Sequence, residues 1–110
     1  MSSETPKVLG QVAPAITNEE VLYTVPANAW SVFHIYVCEE NTGAAAYRIS
    51  ISLAAAATSS KDYIRYDYAI TQADAHQVGP LCAQGGAVVR VYASTADVNF
   101  TATGTEIINT

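Results

Sequence analysis

Apolar and polar residues alternate with a period of two through much of this chain, and turn-forming residues interrupt the pattern at regular intervals. Tyr47-Arg48-Ile49-Ser50-Ile51-Ser52-Leu53 alternates strictly. It predicts a strand with Tyr47, Ile49, Ile51 and Leu53 on a dry face and Arg48, Ser50 and Ser52 on a wet one. The run from Trp30 to Cys38 is apolar at both parities, which predicts a central strand, covered on both sides or lying at a subunit contact. From Asp62 to Ile70 the same period sets Ile64, Tyr66, Tyr68 and Ile70 on one side and Tyr63, Arg65 and Asp67 on the other. Aromatic and β-branched content favours strand over helix there. Ala87 to Ala93 and Val98 to Thr103 are also strand-like, and the Ser94-Thr95-Ala96-Asp97 link between them predicts a hairpin. Leu53-Ala54-Ala55-Ala56-Ala57 has helix propensity but too little length for more than one turn or a loop.

Turn signals fall at Pro26-Ala27-Asn28, Asn41-Thr42-Gly43, Thr58-Ser59-Ser60, Asp74, Gln84-Gly85-Gly86 and Thr95-Ala96-Asp97. That spacing, about eight to twelve residues, is the grammar of a sandwich or barrel of short strands. The expected fold is therefore all-β, a single β-sandwich of about seven or eight strands, jelly-roll or immunoglobulin-like, with the strand order open. Residues 1–20 are sparse in large apolar side chains and carry Pro6, Gly10 and Pro14. They read as an extended N-terminal arm ahead of a sandwich over residues 21–110, with Lys7-Val8-Leu9 and Gln11-Val12 resembling a short edge strand.

Composition narrows the function. With 110 residues the chain holds one core without needing metal or disulfide staples. Charged residues make up only 14% of it, against about a quarter in ordinary soluble domains, so part of the surface is expected to meet another protein. Five Lys/Arg against ten Asp/Glu give a formal charge of −5, and no basic patch is left to neutralise a run of phosphates, so nucleic acid is not an expected partner. No apolar run approaches the ~20 residues of a membrane helix, and Met1 to Lys7 lacks the basic and apolar regions of a secretory signal. The expectation is a product made in the cytoplasm, with no membrane partner. Cys38 and Cys82 sit among apolar neighbours and read as two buried free thiols.

Catalytic chemistry is hard to assemble. His34 and His76 lack a nucleophile elbow, and His34, inside a strand, reads as a packed core histidine. No metal-ligand spacing occurs, and Glu39-Glu40-Asn41 reads as a solvated turn. Gln84-Gly85-Gly86 runs into a strand without the Lys-Ser/Thr of a phosphate loop. No catalytic, cofactor or metal site is expected, and the chain is read as a non-enzyme. The seven tyrosines are a different matter. Tyr63, Tyr66 and Asp67, with Asp62 and Arg65 alongside, suit either a subunit interface or core, or a sugar-stacking surface for a host glycan.

Several phrases carry a resemblance: Val8-Leu9-Gly10-Gln11 with Ala13-Pro14-Ala15, Leu22-Tyr23-Thr24-Val25-Pro26-Ala27, Ile35-Tyr36-Val37-Cys38, Lys61 to Asp67, and Val88 to Thr95 leading into Phe100 to Glu106. They are spread from Val8 to Glu106, and with them the chain resembles small virion structural proteins of tailed bacteriophages. The acidic Glu39-Glu40-Asn41 turn departs from the more basic Asn-Arg-Gly type expected of that pattern. The resemblance implies a β-sandwich subunit of the virion, made in the host cytoplasm, either a capsid cement or decoration protein or a tail or fibre component. It also implies a homotrimer bound to the major capsid protein or other virion proteins. An arm of this kind lies across neighbours by strand addition, which nominates Lys7, Val8, Leu9, Gln11 and Val12, together with Trp30 on the apolar strand, as partner-binding residues.

Overall fold

The computed structural model describes residues 2–14, 18–40, 44–71 and 74–109. Eight strands follow one another: β1 (Ser2–Val12), β2 (Glu20–Thr24), β3 (Ala29–Glu39), β4 (Ala45–Ser52), β5 (Tyr63–Ile70), β6 (Ala75–Gln84), β7 (Val88–Ala93) and β8 (Val98–Asn109). Short 3-10 turns at Leu53–Ala55 and Ser60–Asp62 fill the β4 to β5 connection. The strands form two four-stranded sheets, β1-β8-β3-β6 and β2-β7-β4-β5, with antiparallel pairing throughout. At every connection but β4 to β5 the chain changes sheet. This eight-stranded, two-sheet order is that of a jelly roll, and the immunoglobulin-like alternative, with its seven or nine strands, drops out.

The crossing pattern corrects the expected β7 to β8 hairpin. β7 lies between β2 and β4, whereas β8 lies between β1 and β3 in the other sheet. The Ser94 to Asp97 link spans the sheets, tied to β4 where the Ser94 N–H donates to the Ala46 carbonyl and the Ala46 N–H to Ser94 Oγ.

The first strand likewise changes the picture of an arm. Ser2 pairs with Asn109 and Val12 with Phe100, so β1 runs along β8 from Phe100 to Asn109 as an edge strand, with one register shift between Val8 and Gly10. Leu9 and Val12 pack against the core. The extended segment docks on its own domain.

Alternation builds the core. β3 sends Phe33, Ile35 and Val37 inward, β8 sends Phe100 and Ala102, and β4 and β7 answer with Tyr47, Ile49, Val89, Val91 and Ala93. Each large side chain buried this way stabilises the fold by about 1.5–3 kcal/mol. Tyr47 is the largest fully buried one. Its ring meets Phe100 edge-on at 5.9 Å, and its hydroxyl is satisfied by His76 Nδ1 and Arg65 Nη1, each at 2.7 Å. Gly104 on β8 faces the Val32 carbonyl and Phe33 so closely that no Cβ fits there.

Three face assignments differ from the sequence reading. β3 is buried at Ala29, Ser31, Phe33, Ile35, Val37 and Glu39, while Trp30, Tyr36 and Cys38 are exposed and His34 is half-buried on that outer side. The strand is central but covered on one face only within the chain, which removes the first of the two expected alternatives and leaves the subunit contact, and His34 is not a core residue. On β4 the expected wet face is covered instead, with Ser50 and Ser52 buried and Leu53 exposed, because the 53–62 connection folds back over it. On β5 the alternation breaks at Asp67, whose φ of 49° makes a bulge, so Tyr66 faces the Arg48 side while Tyr68 pairs with Tyr47. Both thiols are free and exposed. Apolar sequence neighbours do not bury a strand residue when alternation sends them to the opposite face.

Candidate functional site

The two sheets turn outer faces of opposite character to solvent. On the β1-β8-β3-β6 sheet, register places Val8 beside Thr103 and His34, Gln11 beside Thr101 and Tyr36, and Ile107 beside Trp30. Gln84, Cys82 and Gln77 continue these rows onto β6. Val8, Trp30 and Tyr36 are the large exposed side chains, at 55%, 41% and 44% exposure. Among the described residues, Glu4 at one corner is the sole charged side chain on this face. No Lys or Arg lies on it.

The basic side chains gather elsewhere. Lys7, at the β1 edge, turns to Glu106 at 3.0 Å. On the outer face of β2-β7-β4-β5, the Arg48 guanidinium lies 4.3 Å from the Tyr66 ring centre and 4.4 Å from that of Tyr92. Arg48 Nε donates to Asp67 Oδ1 at 2.6 Å and Nη2 to Oδ2 at 3.3 Å. That bidentate pair holds the Arg48 pKa above its ordinary value. Tyr63 meets Tyr66 edge-to-face, with ring centres 4.8 Å apart and planes at 77°.

Beside the two tyrosines the 56–62 connection forms a wall. Asp62 accepts from the Ser59 backbone N–H at 2.9 Å and from the Ser59 and Ser52 hydroxyls, a reciprocal cap on the Ser60–Asp62 turn. The backbone bond is the main reason its carboxyl sits below the ordinary range. Arg90 Nη1 ties Ser52 Oγ, the Ala56 carbonyl and Thr58 Oγ1 together. Between wall and rings lies a recess of about 370 Å³ lined by Thr58, Ser59, Ser60, Tyr63 and Tyr66. A second recess, about 470 Å³, opens at the end of the other sheet and is lined in part by Gln11, Val12 and Cys38. Among the described residues no group of three or more His, Cys, Asp or Glu side chains is placed to hold a metal ion.

The nominated residues therefore divide. Val8, Gln11 and Trp30 share the charge-poor sheet face, and Tyr63, Tyr66 and Asp67 share the opposite one. Lys7, Leu9 and Val12 serve their own domain.

No family model, curated protein or solved structure matches the chain.

What the protein does is thus read from these two faces. Sequence reasoning passed over Tyr36 and the Thr101, Thr103 and Thr105 row, although the apolar partners of that row at 100 and 102 announce it. Arg48 was placed on its face by alternation, but Tyr92 and the Thr58-Ser59-Ser60 wall carried no signal beyond strand and turn.

Proposed function

We propose that the chain is a non-enzymatic structural subunit of a bacteriophage particle, a cement or decoration protein that lies on the capsid shell through the outer face of the β1-β8-β3-β6 sheet. The observation that carries this reading is the four-strand-wide face free of Lys and Arg, which displays Val8, Trp30 and Tyr36. Charge depletion together with exposed aromatic residues is the composition of an interface.

Two further facts support it. The jelly-roll order recurs in viral capsid and lectin domains, an analogy of fold rather than of function. The sequence resemblance to small virion proteins points the same way and brings homotrimeric assembly with it. Repeated attachment at equivalent shell positions turns modest single contacts into firm binding without any chemistry.

Co-sedimentation with particles stripped of this protein tests the face directly. Wild type is expected to pellet with the particles, whereas Tyr36→Lys stays in the supernatant with its melting temperature unchanged, since Tyr36 makes no core contact. Equal pelleting of Tyr36→Lys and wild type overturns the proposal.

A further inference from the structure

We propose that the recess between the Tyr63-Tyr66 corner and the Thr58-Ser59-Ser60 wall is a binding site for neutral pyranose sugars. The inference stands apart from the particle reading, since it concerns the opposite face of the sandwich.

Shape and lining come first. Two rings set at 77° make an aromatic corner, with Tyr66 57% exposed to an incoming ligand. The facing wall offers hydroxyls and backbone. A pyranose presents an apolar C–H face and a rim of hydroxyls, so it matches an aromatic surface on one side and hydroxyl partners on the other. The recess falls at the lower end of the roughly 300–1,000 Å³ usual for small-molecule sites.

Charge then selects the class. No charged side chain lines the recess. Of the cations nearby, Arg48 is paired with Asp67 at 2.6 Å, Lys61 lies 3.8 Å from Asp62, and Arg90 Nη1 is engaged by Ser52 Oγ, the Ala56 carbonyl and Thr58 Oγ1. An acidic sugar would have to draw one of these cations away from its present partners to be neutralised. A neutral sugar has no such need.

Rigidity is the third element. Arg48 holds Tyr66 from the sheet, the reciprocal Ser59–Asp62 cap fixes the wall, and Arg90 fastens its start to β4. A corner held in this way loses little freedom on binding, which favours affinity at a small contact area. When the opposite sheet is covered, the recess still faces solvent.

The test is titration of the ¹⁵N-labelled full chain with cellobiose, maltose, lactose and N,N′-diacetylchitobiose, with sialyllactose and digalacturonate as acidic comparisons. At least one neutral disaccharide is expected to shift amides of residues 58–66 in a saturable way. Tyr66→Phe keeps that affinity, and Tyr66→Ala lowers it about tenfold, the loss of one stacking contact. Ser60→Trp, which fills the recess while leaving both tyrosines in the chain, abolishes binding and decides the matter should Tyr66→Ala fail to fold. The proposal is overturned if no neutral sugar shifts these amides, if only the acidic sugars do, or if Ser60→Trp binds as wild type does.

Discussion

Tyr23 donates its hydroxyl proton to Glu106 Oε2 over 2.6 Å, and this bond joins β2 of one sheet to β8 of the other through the interior. Ser31 Oγ lies 2.7 Å from the same tyrosine oxygen, and Lys7 reaches the second carboxylate oxygen from the β1 edge at 3.0 Å. Burial, then the Glu106 bond, pushes the Tyr23 pKa up to about 12. The Tyr23 bond, aided by Lys7 and opposed by burial, holds Glu106 below its ordinary 4.5.

These shifts set two pH limits. A depressed carboxylate adds stability above its unfolded value, near 4.5, which is lost as pH falls through the lower folded value. A raised tyrosine adds stability in full below 10, lost as pH climbs from 10 towards 12. Tyr23→Phe is expected to cost about 1–3 kcal/mol at neutral pH, because Glu106 and Ser31 each lose a buried partner. It should also flatten the alkaline decline and make the acid decline shallower. Urea denaturation at pH 3, 7 and 11 checks this, and a variant with the wild-type profile contradicts it.

Gly104→Ala is expected to be among the most damaging single changes to the sheet. The new Cβ would strike the Val32 carbonyl and the Phe33 backbone, neither of which can swing aside as a side chain would. A loss of about 1–3 kcal/mol or more is expected from such overpacking, read as a lower denaturation midpoint with unchanged slope.

Asp67 holds a positive φ and the Arg48 ion pair together. Asn tolerates that backbone and a β-branched residue does not. Asp67→Asn should cost under about 1 kcal/mol, since the pair is exposed, and Asp67→Val about 1–3 kcal/mol from backbone strain. Thermal unfolding of both variants should rank them in that order.

Much of this was legible in the sequence and some was not. The turn signals at Pro26 to Asn28 and Gln84 to Gly86 bracket real strand ends, and the one-turn limit on Leu53 to Ala57 matches the 3-10 turn found there. β6 was not legible, since Gly79 and Pro80 interrupt the middle of Ala75–Gln84, where the register against β3 shifts. Nor was β1 visible along its full length, because an edge strand can be held by main-chain bonds that any sequence supplies. Sheet membership escaped for the same reason. Period two assigns faces, not partners, so the Ser94 to Asp97 link read equally well as a hairpin or a crossing. On the candidate site, alternation places Arg48, whereas it sets Tyr63 and Tyr66 on opposite sides, and the register shifts on either side of Arg65 bring these two to one face. The bulge at Asp67, which no pattern marks, decides that Tyr66 and not Tyr68 faces the recess.

The exposed thiols provide another check. Cys38 and Cys82 stand on the charge-poor sheet face, opposite Ala75 and Val32 respectively. Val32 lies six positions from Cys38 along β3, about 20 Å of strand, too far for a bridge between Cys38 and Cys82. Both should react with a thiol reagent in the native protein at rates near those of the unfolded chain, and a bulky adduct should block particle attachment. Protected thiols would contradict the orientation of β3.

The most direct measurement of the central claim is the copy number of this protein relative to the major capsid protein, by quantitative mass spectrometry of purified particles. A subunit that covers the shell through its charge-poor sheet face predicts a fixed, large fraction of the capsid count. Absence, or a handful of copies per particle, would contradict a shell protein.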